Sequence, residues 1–203
     1  RGKTTTTEMI AHVLRASGTE VLLGGNVRGV STLALLPEAV PGAVAVLELD
    51  SWQLQGFRAE ELSPHIAVFT NLYPDHQDYY DGMDDYLADK AEIFLHQGPE
   101  DTLVLGSVVA ELIKEKYVGK AIVSEVVIAD TNAIAEGMLS IPGTHNRANA
   151  ACALAAVEAF GIAADVAIAA LATFNGVPGR LELIRDKEGV KFYNDTTATT
   201  PEA

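Results

Sequence analysis

The sequence predicts an α/β domain, a mostly parallel sheet flanked by helices of the P-loop NTPase-like kind. Three observations carry this. Short apolar runs (Val21-Leu22-Leu23, Ala43 to Leu49, Ile66 to Thr70) each end in a polar or glycine-rich loop, as buried parallel strands do. Segments with helical periodicity alternate with them. The chain opens with Arg1-Gly2-Lys3-Thr4-Thr5, the back half of G-x-x-x-x-G-K-[ST], at the head of a helix.

Composition supports the same class. Of 203 residues 48% are hydrophobic, enough for a core, and only 6% are aromatic, so small aliphatics must fill it. The net charge of −14 disfavours a nucleic-acid or anionic-membrane partner. An acidic chain that handles phosphate must gather its few cations locally. The single Cys152 forbids an internal disulfide and fits a reducing, cytoplasmic setting. No membrane-length apolar run is visible.

The opening helix is expected over Thr4 to Arg15, with Met9, Ile10, Val13 and Leu14 as its apolar stripe and Ser17-Gly18 as its stop. Gly2 would let backbone N–H groups approach a phosphate. Lys3 would place a charge between phosphates, and Thr4 would offer a hydroxyl to Mg²⁺. The helix dipole points at the same anion. Gly-Lys-Thr also starts many ordinary helices, so the motif needs support from further on.

Val21 to Leu23 reads as a strand running into the loop Gly24 to Gly29, which is either a tight turn or a phosphate-approaching loop with Asn26 facing the ligand. A helix is expected from Thr32, limited by Pro37 and Pro41. Ala43 to Leu49 reads as a strand buried on both faces, with Glu48 near its carboxyl end. An acid there points to solvent or holds a metal, because burial alone is costly. Ile66 to Thr70 repeats the pattern and leads into Asn71 to Asp78, which puts His76 where ligands of open α/β sheets sit.

The helix Met83 to Leu95 has the stripe Met83, Tyr86, Leu87 and Phe94, and Lys90 takes the slot after Leu87. A lysine there snorkels, pairs with an acid, or changes its charge state. Asp85, Asp89 and Glu92 are expected on other faces. Thr102 to Leu105 and Ala121 to Val123 read as strands around a helix from Ser107 to Tyr117. Thr144 is the expected N-cap of a helix of small residues ending near Phe160-Gly161, and Asn146 and Asn149 share one side of it. Paired amides of this kind can read a purine edge. A short helix, Ala164 to Phe174, precedes the linker Gly176 to Gly179. A hairpin then follows about Asp186 to Gly189. The domain reading is therefore 1–178 as a central domain and 179–203 as the first strands of another.

These pieces, in this order, resemble the Mur ligase family of ATP-dependent amide-forming enzymes. The matching stretches are Gly2 to Thr5, Gly24-Gly25-Asn26, Leu47 to Leu54, Thr70 to His76, Lys90, Gly143 to Asn149, Gly179 to Glu182 and Asn194 to Thr199. Leu47-Glu48-Leu49-Asp50-Ser51-Trp52-Gln53-Leu54 points to the branch that adds D-glutamate to UDP-N-acetylmuramoyl-L-alanine in peptidoglycan precursor synthesis.

The resemblance implies a cytoplasmic, monomeric three-domain enzyme using ATP and two Mg²⁺ ions, of which this chain is the central domain and a little more. A chain that starts inside the P-loop and lacks both flanking domains is expected to be inactive alone. By position, Gly2, Lys3, Thr4 and Thr5 would hold phosphate, and Thr4 and Glu48 the first Mg²⁺. His76 and a carbamylated Lys90 would hold the second. Asn26, Ser51 and His76 would face the substrate. Asn146 and Asn149 would contact adenine, and Arg180 and Asp195 the rest of the nucleotide. Thr196-Thr197 departs from the Ser-Lys of many members, which puts substrate contacts there in doubt. Competing readings are another Mur-type ligase, a folylpolyglutamate synthase, or a nucleotide-binding module without ligase activity.

Overall fold

The computed structural model describes residues 1–27, 31–74, 79–117, 119 and 121–197. Helix α1 spans Lys3–Ala16. Met9, Val13 and Leu14 are buried as the stripe requires. Strand β1, Val21–Gly25, continues through both glycines, so the loop begins later than expected. The next segment is a 3₁₀ helix, Thr32–Glu38, with Pro37 inside it rather than ending it. The fixed φ of proline suits such a turn.

Strand β2, Val44–Glu48, pairs parallel to β1, and Gly25 lies opposite Glu48. Strands β3 (Ile66–Phe69), β4 (Thr102–Leu105) and β5 (Glu125–Ile128) form a second parallel sheet. The expected single sheet is thus two. Between β2 and β3 runs an apolar slot of about 180 Å³ lined by Val44, Val46, Ile66 and Val68, with Ile10 and Leu14 beneath. Because β2 borders that slot, Ala45 is exposed and only Val46 and Glu48 are buried, against the expectation of a strand covered on both faces.

Helix α2, Ser51–Ala59, was not expected. Its start is a capping box: the Asp50 side chain accepts from the Gln53 amide at 2.9 Å and the Gln53 side chain accepts from the Asp50 amide at 3.1 Å. Helix α3 is Met83–Leu95, as predicted, and α4 is Ala110–Tyr117. Ala121 to Val123 is not a strand; β5 lies just beyond it. Helix α5, Thr144–Ala159, is capped by Gly143 rather than by Thr144, which is its first residue. Helix α6 is Ala164–Ala172.

Period-two alternation in the strands builds two cores. Leu103 and Leu105 of β4 pack with Ala67 and Phe69 of β3 on Leu87, Ala91 and Phe94 of α3. Val104 turns to the other side, toward α1 and α5. The alanine-rich run of α5 from Ala150 to Val157 is buried, and its small side chains let α1 approach closely. After Gly179, β6 (Glu182–Lys187) and β7 (Val190–Asn194) form an antiparallel hairpin, largely exposed. Its turn, Glu188-Gly189, has positive φ at both residues, and its strands are longer than expected. Among the described residues no helix is long and apolar enough to cross a membrane.

Candidate functional site

The site is built at the carboxyl ends of β1, β2 and β3, beside the start of α1. Gly2 enters α1 with φ 72°, and a Cβ on it would sit 2.2 Å from Asn149 Oδ1. Only glycine fits there. The Arg1 carbonyl accepts from Thr70 Oγ1 at 3.0 Å and from Asn71 Nδ2 at 2.9 Å, which ties the head of α1 to the end of β3.

Glu48 is 4% exposed at the end of β2. Its Oε1 lies 4.0 Å from Lys3 Nζ, and its Oε2 is buried with no hydrogen-bond partner among the described residues. A buried carboxylate oxygen left unpaired is costly. A bound cation would satisfy it, and an unpaired carboxylate oxygen suits a hard, oxygen-seeking metal. Register holds Glu48 in place: Gly25 is its partner in β1, and the Asn26 amide donates to the Glu48 carbonyl at 2.6 Å. Asn26 is exposed beside it.

Arg180 reaches back across the chain, and its guanidinium donates to Thr4 Oγ1 at 3.2 Å. Asp195 Oδ1 accepts from the Leu181 amide at 3.1 Å, holding the segment that carries Arg180. Thr197 Oγ1 donates to the Gly179 carbonyl at 2.7 Å. Arg1, Lys3 and Lys90 line one small cavity with Thr70 and Asn71. The chain has 14 Lys and Arg against 28 Asp and Glu, so three cations at one strand edge make a local reversal of its charge that would favour an anion there.

Lys90 is half-buried, not buried as the stripe suggested, and its ammonium lies 4.7 Å from the centroid of the Tyr86 ring. Of the acids on the other faces Asp85 is exposed, but Asp89 and Glu92 are buried, 7% and 5% exposed. Helix α2 packs there and brings Arg58 to both. Ser51 is buried, 2% exposed, so its hydroxyl does not face open space. Asn146 donates to the Pro142 carbonyl at 2.7 Å and accepts from Asn149 Nδ2 at 3.3 Å, so its amide is spent inside the fold. Asn149 lines a cavity of about 310 Å³ with Tyr73, Val108, Thr131, His145 and Cys152. His76 lies outside the described residues. Among those described, no three of His, Cys, Asp and Glu converge on a point that could hold a metal. Sequence reasoning missed Thr70, Asn71 and Tyr73 as site-lining residues, although they stand in the loop already assigned to the ligand edge.

Fold and site together define a class: an α/β domain with a half P-loop, a cation-lined strand edge and one unsatisfied acid. Comparison with known proteins makes the class specific. Residues 1–115 match the family described as the Mur ligase middle domain. The chain belongs to the Mur ligase family. It is 37% identical over 214 residues to UDP-N-acetylmuramoylalanine--D-glutamate ligase of Streptococcus pyogenes serotype M5, covering 98% of this chain and 47% of that protein. To the protein of the same name from Roseiflexus sp. it is 34% identical over 232 residues, covering 100% and 50%. The chain spans about half the length of these curated relatives.

Among solved structures, MurF ligase of Thermotoga maritima in complex with ADP matches with TM-score 0.76 and 19% identity, covering 100% of this chain and 52% of that one. E. coli FolC in complex with DHPP and ADP matches with TM-score 0.62 and 18% identity, covering 96% and 59%. These likenesses show the fold.

Proposed function

We propose that this chain is the ATP-binding core of a ligase that joins D-glutamate to UDP-N-acetylmuramoyl-L-alanine. The observation that carries the reading is Glu48, buried beside Lys3 with one oxygen unpaired. The names of the relatives at 34–37% identity support the substrate pair. The Leu47 to Leu54 stretch supports it from within the chain. Folylpolyglutamate synthesis shares the fold, but the sequence likeness favours the peptidoglycan reading.

In this mechanism the γ-phosphoryl group of ATP passes to the substrate carboxylate. The D-glutamate amine attacks the resulting acyl-phosphate carbon and phosphate leaves. Mg²⁺, when bound, spreads the phosphate charge. Lys3 and the N-terminus of α1 would hold the transferring phosphate, and Thr4 and Glu48 would offer oxygens to the first ion. Arg180 sits against Thr4, where a second cation at the nucleotide belongs. Asn149 faces the cavity that suits adenine, with Asn146 holding its amide. Asn26 and the His76 loop are assigned to the substrate side. Lys90 is assigned to the second Mg²⁺ after its neutral amine adds CO₂, an N–C bond forming and one N–H proton going to water. The carbamate oxygens suit a hard ion.

The test uses the longer protein that carries this chain. ATP-dependent phosphate release should require UDP-N-acetylmuramoyl-L-alanine and D-glutamate together. Release with a folate and glutamate instead would assign the other ligase. Release indifferent to any acceptor would leave a nucleotide-hydrolysing module.

A further inference from the structure

Two carboxylates are buried on α3 at positions that packing alone would fill with leucine. Asp89 is held by three donors: Arg58 at 2.8 Å on Oδ1, and Gln55 at 2.7 Å and the Tyr80 hydroxyl at 3.0 Å on Oδ2. Glu92 accepts from Arg58 Nε at 2.6 Å on one oxygen, and its other oxygen pairs with His96 Nε2 at 2.9 Å. One guanidinium thus bridges both acids and joins α2 to α3.

We propose that Asp89 is a positioning residue: gripped by Arg58, Gln55 and Tyr80, it fixes the rotation of α3 and so places Lys90 relative to Glu48. Successive helix residues are turned by about 100°. Asp89 points at α2, and Lys90, the next residue, emerges into the cavity shared with Arg1, Lys3 and Asn71. Apolar packing between α2 and α3 would tolerate a small roll of either helix. Directional bonds to two carboxylates would not, and a roll of one-tenth of a turn would carry the long Lys90 side chain away from the cavity. Buried ion pairs add little net stability over well-packed apolar groups, so orientation is the better account of their presence. The part concerning Lys90 as a metal-side group rests on the proposed function.

The experiment uses the longer protein with two variants. Arg58→Met/Asp89→Leu/Glu92→Leu replaces the network by apolar bulk. Tyr80→Phe keeps the ring and removes one donor. Three readouts are taken: the acetylation rate of Lys90 by an amine reagent with the exposed Lys191 of β7 as reference, the ¹³CO₂ carbamate signal, and the Mg²⁺ half-saturation of turnover. In the triple variant the proposal expects Lys90 to be labelled at least about fivefold faster relative to Lys191. The carbamate signal should fall at least by half, and Mg²⁺ half-saturation should rise about tenfold. Tyr80→Phe should move all three in the same direction by less. Lys90 labelling equal to wild type in Tyr80→Phe, and in the triple variant if it folds, would overturn the proposal and leave a plain helix–helix contact. A wild type without a carbamate signal would remove the metal-ligand reading of Lys90, and the labelling ratio would still decide whether Asp89 positions it.

Discussion

Replacing Gly25 by alanine should cripple the site without touching a catalytic atom. Gly25 has φ +82°, and a Cβ there would lie 2.0 Å from the Glu48 carbonyl oxygen, 2.9 Å from its carbon and 3.0 Å from its nitrogen. These are backbone atoms of the paired strand and cannot swing aside. The left-handed conformation costs alanine about 1–2 kcal/mol. Relieving the clash needs β1 to peel from β2 by roughly 1 Å, which loosens the Asn26–Glu48 bond for about 1 kcal/mol more. The total is about 2–3 kcal/mol, read from urea unfolding. The same shift moves Glu48, and an ångström of misplacement costs turnover on the order of a hundredfold. Gly24→Ala is the control. Its Cβ would press on the Leu35 side chain, with Cδ1 at 2.5 Å, on a half-exposed segment that can turn away, and would reach Leu47 Cδ2 at 3.4 Å, an ordinary contact. It should cost under about 1 kcal/mol. Equal costs for the two variants, or normal turnover in Gly25→Ala, would refute the register argument.

Burial pushes the Cys152 thiol from an ordinary value near 9 up to about 12. At pH 8 a thiol reagent should therefore modify the folded protein at least about a hundredfold more slowly than the unfolded one. The raised value means that the unfolded chain loses this proton first. Its contribution to stability is present below about pH 9 and lost as pH rises toward 12, so alkaline unfolding should be shallower in Cys152→Ala. Arg180→Met should weaken nucleotide binding by about tenfold, measured by titration, if its guanidinium serves the phosphate side; unchanged affinity would confine it to holding Thr4. Lys90→Ala should abolish the ¹³C carbamate signal and turnover, and a small added carboxylate should restore part of the turnover. Near-normal turnover would leave Lys90 as a cation on the Tyr86 ring.

The helices with a single apolar stripe were legible: Met9, Val13 and Leu14 set α1, and the bounds of α3 followed from Tyr86, Leu87 and Phe94. Glu48 was legible because an acid ending an apolar run has few bland explanations. Helix α2 was missed although Asp50 and Gln53 write its capping box, because the apolar run before it drew the eye to a strand exit. Strand β5 was missed because only its two middle residues, Val126 and Val127, are half-buried, so it shows no alternation and is faint beside the more apolar Ala121 to Val123. The burial of Asp89 and Glu92 was not legible because periodicity counts apolar residues only. What buries them is Arg58, more than thirty positions earlier in the chain, and nothing local announces it. The same blindness overstated the burial of Lys90, whose cavity is shaped by residues from the far end of β3. Asn146 looked free to meet a ligand because its partner, the Pro142 carbonyl, is a backbone atom whose direction the sequence does not reveal.

The central claim is that the unpaired oxygen of Glu48 exists to hold a cation beside Lys3 and Thr4. Glu48→Gln in the longer protein keeps the shape and removes the charge. Nucleotide affinity is measured with and without Mg²⁺, alongside turnover. The account predicts near-wild-type affinity without metal, loss of most of the gain that Mg²⁺ brings, and turnover down by at least about a hundredfold. A variant that keeps both the Mg²⁺ gain and its turnover would contradict it.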